Sequence, residues 1–305
     1  MRTLFADLEA RRGGAATGVI LMLLCVFVTA CAGAMTKHIV DQVPVATIIC
    51  IQYAVCLLFC LPHLLRHRQA VWKTQRLGTH IVRGIGGCLC FIFYYLAIEN
   101  VPLVEAALLR SASPLCVPLV IWAISGKRIH RLHWIPIILG MCGVALILKP
   151  TSHEVSIWHL VGFMSALSLA VSMVFTRGLT FTEPGYRILF YYFLISVLFA
   201  LPWMLYHWQP IPPETWPFLV GIGVSIYVAL WLYTEAYRFA QASLISSFSY
   251  FGVVFAGILG WIFWKQLPDM ISFAGIGLVV AGGILMLWIG ERTSKQPSGV
   301  SNQRP

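Results

Sequence analysis

Apolar residues in this chain come in long unbroken runs separated by short polar breaks, with neither the alternation of a half-buried strand nor the single stripe of a surface helix. A helix of about 20 such residues crosses the roughly 30 Å of bilayer hydrocarbon. The runs fall near 16–36, 45–65, 79–98, 103–125, 131–149, 157–177, 186–206, 215–236, 242–264 and 270–290. Lipid tolerates only helices or closed barrels, and the missing alternation rules out the barrel. The pattern therefore predicts an all-α membrane protein of ten transmembrane helices in two sets of five.

The second set repeats the first. Pro44 and Pro62 bracket an apolar run that returns between Pro184 and Pro202, an offset of 140. Ala30 to Lys37 echoes Ala170 to Arg177 at the same offset, whereas Trp122 and Trp261, like the Gly143 and Gly282 segments, are 139 apart. A one-residue slip thus separates two registers of one duplication. Residues 1–150 and 151–292 form the two expected units, and the polar, Ser- and Pro-containing stretch 293–305 reads as a disordered cytosolic tail. An internal repeat buried in lipid is typical of transporters.

Composition changes little in this picture, but the charges orient it. The chain is 59% hydrophobic and 10% charged, with a mean hydropathy of +0.83, where soluble domains carry about a quarter charged residues. The net charge of +10 would suit nucleic acid, yet the cations mark breaks between runs. With a cytosolic N-terminus, Arg2, Arg11, Arg12, Arg66, Arg68, Lys73, Arg76, Arg83, Lys127, Arg128, Arg131, Arg177, Arg187, Arg238, Arg292, Lys295 and Arg304 fall inside. Only Lys37, Lys149 and Lys265 fall outside. Both termini are then cytosolic. Five spans per unit is an odd number, so the two repeats enter the bilayer from opposite sides and are inverted.

The nine cysteines all lie in or beside apolar runs of the first half, without a CxxC, and read as small packing residues. Arg11-Arg12 followed by an apolar run and Val28-Thr29-Ala30-Cys31 has the form of a lipoprotein signal. The segment has a repeat mate, and its removal would upset the span count and charge bias, so retention is expected. No metal, cofactor or catalytic residue is expected: the runs hold no paired acids, no HExxH, no GxSxG and no phosphate loop.

Polar groups inside the runs are the candidate binding residues. Arg110 is the sharpest, because a guanidinium within an apolar helix costs about 2.5–3.5 kcal/mol on insertion scales and requires a partner. It either binds a carboxylate or phosphate of a solute through its planar fork, or snorkels to Glu105 or Glu99 as a structural pair. Gln52, Tyr192, Tyr94, Tyr95, Ser113, Trp231, Ser246 and Tyr250 complete the set, with Gln52 and Tyr192 in equivalent places of the two repeats. An aromatic pocket of this kind suits an amphipathic metabolite, and helix packing is the alternative for each residue. Glu235 reads as an interfacial partner of Arg238. Trp203, Tyr206, Trp208 and Trp216 read as an interfacial belt. Pro114 and Pro118 predict a bend in the fourth helix. Gly252, Ala256 and Gly260 give the ninth a smooth face, for sliding or for static packing.

Two segments carry a family resemblance: Tyr95-Leu-Ala-Ile-Glu-Asn-Val-Pro-Leu-Val-Glu-Ala and Tyr233-Thr-Glu-Ala-Tyr-Arg-Phe-Ala-Gln-Ala-Ser-Leu-Ile-Ser-Ser-Phe-Ser-Tyr, the latter followed by Gly257-Ile-Leu-Gly-Trp-Ile-Phe-Trp-Lys. The pair resembles the EamA family of the drug/metabolite transporter superfamily over residues 16 to 290. Members often carry Arg where this chain has Gln52, and an acidic residue near Lys265-Gln266. The resemblance implies secondary transport by alternating access in a bacterial inner membrane. The expected cargo is a small organic metabolite, an amino acid or related compound, moving outward. Uptake of a nucleoside-like or S-adenosylmethionine-like compound is the second version, and a non-transporting sensor or assembly protein is the competitor from another class. The expected partners are the solute, the lipid bilayer and a coupling proton, with no nucleic acid, and the chain acts as a monomer or homodimer.

Overall fold

Among the described residues the apolar runs are helical, because a backbone in hydrocarbon must satisfy its own hydrogen bonds. The computed structural model describes residues 2–66, 74–126, 134–148, 157–180, 182–239, 248, 251–265 and 270–295. In chain order the helices are α1 (Arg2–Ile39), α2 (Val45–Arg66), α3 (Leu77–Asn100), α4 (Leu103–Ser111), α5 (Ser113–Ser125) and α6 (Trp134–Leu148). They continue as α7 (Ile157–Thr180), α8 (Gly185–Tyr206), α9 (Trp216–Phe239), α10 (Phe251–Trp264) and α11 (Met270–Lys295). A short 3-10 turn, Pro213–Thr215, leads into α9. No strand occurs among the described residues.

Among the described residues, six helices are long and apolar enough to cross a membrane: Ala16–Ile39, Val45–Pro62, Leu77–Asn100, Ile157–Leu179, Gly185–Tyr206 and Pro213–Tyr233. α4 and α5 are long and apolar enough only when taken as a pair, which is bent by 45°. Trp134–Gly143, Phe251–Trp264 and Phe273–Gly282 are shorter apolar helices. The sequence runs at these places, 131–149, 242–264 and 270–290, extend into or border residues outside the described set, as do Lys127, Arg128, Arg131 and most of the tail.

The repeated prolines have a structural purpose. Pro44 precedes α2 and its carbonyl accepts from the Ile48 N–H at 3.1 Å; Pro184 precedes α8 and accepts from Ile188 at 3.2 Å. A proline at a helix start forfeits only an N–H that has no intrahelical acceptor. Pro62 and Pro202 lie within α2 and α8. In the fourth run, Pro114 cannot supply the N–H that the Arg110 carbonyl would accept, so the helix breaks at Ala112 between α4 and α5.

α3 packs along α7, α1 along α9, α6 along α11, and α2 against α8; α4 and α5 lean on α7, while α10 leans on α1 and α4. The α6–α11 approach is backbone to backbone. A Cβ on Gly143 would lie 2.7 Å from the Gly275 carbonyl oxygen, and one on Gly282 would lie 2.9 Å from that of Pro136. Among the buried side chains, Tyr53, Tyr95, Phe193, Ile48, Ile49 and Leu103 form the central core. The outside is apolar: Leu58 and Phe59 are exposed, as are their repeat mates Leu198 and Phe199, as befits a surface solvated by hydrocarbon. Tyr206, Trp208 and Trp216 are exposed as well, in keeping with an interfacial belt.

Candidate substrate-binding site

The bent fourth span determines where Arg110 lies. It occupies the last turn of α4, the end of a helix dipole that favours a cation. Its guanidinium stands 4.8 Å from the centroid of the Phe91 ring and 4.9 Å from that of Tyr94, both on α3. Among the described residues, the titratable groups acting on it are Cys90, Tyr94, Tyr95 and Cys25, none of them a carboxylate. The Arg110 side chain is half-buried among these groups. Its Nε has no hydrogen-bond partner. Glu105, one of the two acids open to it by sequence, pairs instead with His159 of α7 at 3.0 Å, and Glu99 is exposed at the end of α3. The snorkelled structural pair is therefore not formed.

Next to Arg110 the core is aromatic and hydrogen-bonded. The Tyr95 hydroxyl donates to Gln52 Oε1, which leaves the fully buried Gln52 Nε2 unpartnered. The Tyr53 and Tyr192 hydroxyls share a hydrogen bond of 2.8 Å across the α2–α8 contact. Gly87 makes room for this layer, since a Cβ there would lie 2.5 Å from Tyr192 Cε2. Buried polar groups are normally satisfied, so the unpartnered Gln52 and Arg110 nitrogens stand out; the helices that carry them, α2 and α4, each pack on α3.

Of the residues singled out by sequence, Arg110, Gln52, Tyr94 and Tyr192 gather in this interior, with Tyr95 between them. Ser113 is buried just past the α4–α5 break. Trp231 lies apart, 51% exposed on α9. Ser246 and Tyr250 lie outside the described residues, as does the Arg238 side chain needed for the expected pair with Glu235.

Two residues at the site were not singled out. Tyr53 was overlooked because the 140 register aligns Tyr192 with Gln52; the 139 register aligns it with Tyr53, the residue it bonds. Arg83, read from sequence as one of the cytosolic-side charges, lies within α3, 7% exposed, with its guanidinium 4.3 Å from the centroid of the Tyr192 ring. Charge counting cannot separate a loop cation from one a turn or two inside the helix.

Toward that end of α3, the residue before the helix and the α7–α8 connection meet. Thr74 Oγ1 donates to Glu183 Oε1 at 2.7 Å, and Arg187 donates to Glu183 Oε2. Burial pushes the Glu183 carboxyl up, but these hydrogen bonds and the charges of Arg187 and His80 outweigh it, holding the group below the usual carboxylate range. At the other end of α3, Lys37 Nζ donates to the Ile98 and Val101 carbonyls at 2.7 and 3.0 Å.

Comparison with known proteins matches this architecture. The EamA-like transporter family matches residues 16–149 and again 156–288. The chain is 31% identical to the pseudopaline exporter CntI of Pseudomonas aeruginosa, over 92% of this chain and 97% of that protein. It is 24% identical to a riboflavin transporter of Vibrio cholerae, over 78% of this chain and 80% of the relative. It is 19% identical to an S-adenosylmethionine uptake transporter of Rickettsia prowazekii, over 89% and 92% respectively. A solved crystal structure of 18% identity superposes with a TM-score of 0.62, covering 92% of this chain and 99% of that one. With the family matching both halves and a relative above 30% identity matching nearly end to end, this multi-pass membrane protein belongs to the EamA-like transporter family of the drug/metabolite transporter superfamily.

Proposed function

We propose that the chain is a secondary transporter that exports a small organic metabolite across the bacterial inner membrane by alternating access, with Arg110 as its central anion contact. The observation that carries this reading is the Arg110 guanidinium, set among Phe91, Tyr94 and Cys90 with no carboxylate facing it. An unpaired cation held in a span is a functional group by default, and a solute carboxylate meets its fork. Gln52, Tyr94, Tyr192, Ser113, Trp231, Ser246 and Tyr250 complete the proposed binding set. Outward movement is supported by the pseudopaline exporter, whose identity to this chain is the higher of the three relatives compared.

Ten spans in two inverted five-helix repeats, with both termini cytosolic, form the scaffold of this proposal. Its support is the twofold family match and the packing order. Exchanging the two halves of the chain turns the α3–α7 contact into α9–α1 and returns α2–α8 and α6–α11 to themselves. Matched exposure of Leu58 with Leu198 and of Trp122 with Trp261 points the same way. Two nearly equivalent bundles can exchange roles at small free-energy difference, which is what alternating access requires. We assign a proton as the coupling ion and a monomer or homodimer as the working unit.

The test is counterflow in proteoliposomes with labelled pseudopaline, amino acids, riboflavin and S-adenosylmethionine, with and without a pH gradient. Export of pseudopaline or an amino acid, lost in Arg110→Ala with normal membrane insertion, is expected. Exchange of riboflavin or S-adenosylmethionine alone would favour the uptake reading, which the second and third relatives support. Equal loss of folded Arg110→Ala protein would make Arg110 structural.

A further inference from the structure

Arg110 is not the only guanidinium in a span without an acid. Arg83, on α3, is 7% exposed, and the titratable groups facing it are Tyr192, Tyr53 and Tyr233, again with no carboxylate. Glu183, the acid at that end of the helix, is engaged by Thr74 and Arg187. The Arg83 side chain is held rigidly. Its Nε donates to Thr176 Oγ1 at 2.8 Å, Thr176 in turn donates to the Ser172 carbonyl, and Ser172 donates back to the Arg83 carbonyl at 3.1 Å. Its Cζ lies 4.3 Å from the centroid of the Tyr192 ring. This leaves the buried NH1 nitrogen with no hydrogen-bond partner.

One turn away on the same face of α3 stands His80, 1% exposed, tilted against Tyr191 with ring centroids 4.6 Å apart and with both ring nitrogens without a hydrogen-bond partner. Unsatisfied donors on a fixed guanidinium and a neighbouring imidazole, both more than nine-tenths buried, require an acceptor, and a buried charge requires a counter-charge.

We infer that Arg83, with His80 beside it, is a second anion-binding station for the transported solute, taking a carboxylate on the far side of the tyrosine layer from Arg110. The inference rests on the transport reading above and narrows it to organic anions. Arg83 stacks on Tyr192, whereas Arg110 stacks on Phe91 and Tyr94. These α3 positions are 8 to 11 residues apart, roughly 12–16 Å along the helix axis. At the level of Gly87, between these α3 positions, lies the Tyr53–Tyr192 hydrogen bond, made by side chains at most 4% exposed. A solute passing from one station to the other parts this bond while a guanidinium at either end compensates its charge. A planar carboxylate matches both forks, and the aromatic layer accepts an apolar body.

The experiment uses the full chain in neutral phosphatidylcholine nanodiscs and titrates benzoate against thermal unfolding, with benzamide as the uncharged control. Benzoate, not benzamide, is expected to raise the unfolding temperature, and each single variant, Arg83→Gln and Arg110→Gln, should retain a saturable response that the double variant loses. Arg83→Lys keeps the charge without the fork and covers a poorly folding Arg83→Gln; in the Arg110→Gln background it should weaken benzoate about tenfold or more. A response abolished by Arg110→Gln alone overturns the second station. So does an Arg83-dependent stabilisation by phosphatidylglycerol nanodiscs with no benzoate effect, which would assign Arg83 to a lipid headgroup. Absence of counterflow for any solute, with both benzoate responses intact, would defeat the transport reading and leave the two stations standing.

Discussion

The α3–α7 and α1–α9 crossings join helices that correspond in the sequence repeat, yet they are held by different chemistry. α3 meets α7 through the Arg83, Thr176 and Ser172 hydrogen bonds, with Gly86 against backbone: a Cβ there would lie 3.2 Å from the Ser168 carbonyl and 3.3 Å from the Ser172 nitrogen. α1 meets α9 through a Cys25 thiol donating to the Ala229 carbonyl at 3.2 Å, with Met35 covering Gly221. The same packing frame thus carries charge at one crossing and soft, apolar contact at the other. A duplicated scaffold provides shape twice, but the polar groups proposed to bind a solute concentrate about α3.

Replacing the glycine at each crossing gives the sharpest contrast. Gly86→Val should destabilise by about 1–3 kcal/mol or more, because backbone atoms of α7 cannot yield, and should appear as loss of monodisperse protein in detergent. Gly221→Ala meets the end of the flexible Met35 side chain at 3.1 Å and should cost well under about 1 kcal/mol by thermal unfolding. Equal effects at the two sites would remove the distinction between rigid and soft crossings. On function, Arg110→Ala should lower counterflow by about tenfold or more at unchanged expression, the loss of charge-assisted contacts with the solute.

Smaller effects refine the comparison at the α3 end. Because the folded Glu183 carboxyl is held below its unfolded value of about 4.3, its contribution is present above that pH and is lost as pH falls through the depressed folded value. Glu183→Gln should flatten this acid limb of the thermal stability profile. An unchanged profile would show that the carboxyl does not fasten α8 to the start of α3. Cys25→Ala at the α1–α9 crossing should be the mildest change, within about 1 kcal/mol and with full counterflow, since it removes one weak thiol donor.

How much of this was legible varies with the physics involved. Apolar run length is a direct consequence of bilayer thickness, so helices could be placed from composition, and Pro114 marked a bend that the structure puts at Ala112. Arg110 stood out because it lies well inside an apolar run. Arg83 did not, since four residues into an apolar run it is indistinguishable from a topology charge. Tyr53 was hidden by the one-residue slip between registers, and only its bond to Tyr192 reveals which register aligns the two side chains.

Sequence alone determined the all-helical membrane character, the duplication and the presence of an intramembrane cation, because these follow from hydrophobic length and the expense of charge in hydrocarbon. Tertiary structure decided which polar groups meet. It gave Glu105 to His159 instead of Arg110, laid Arg83 over Tyr192, and left Gln52, Arg83 and Arg110 each with an unpartnered nitrogen. Those outcomes depend on helix rotation and crossing, where a turn of one residue redirects a side chain by about 100°, and no local pattern in the chain encodes that angle.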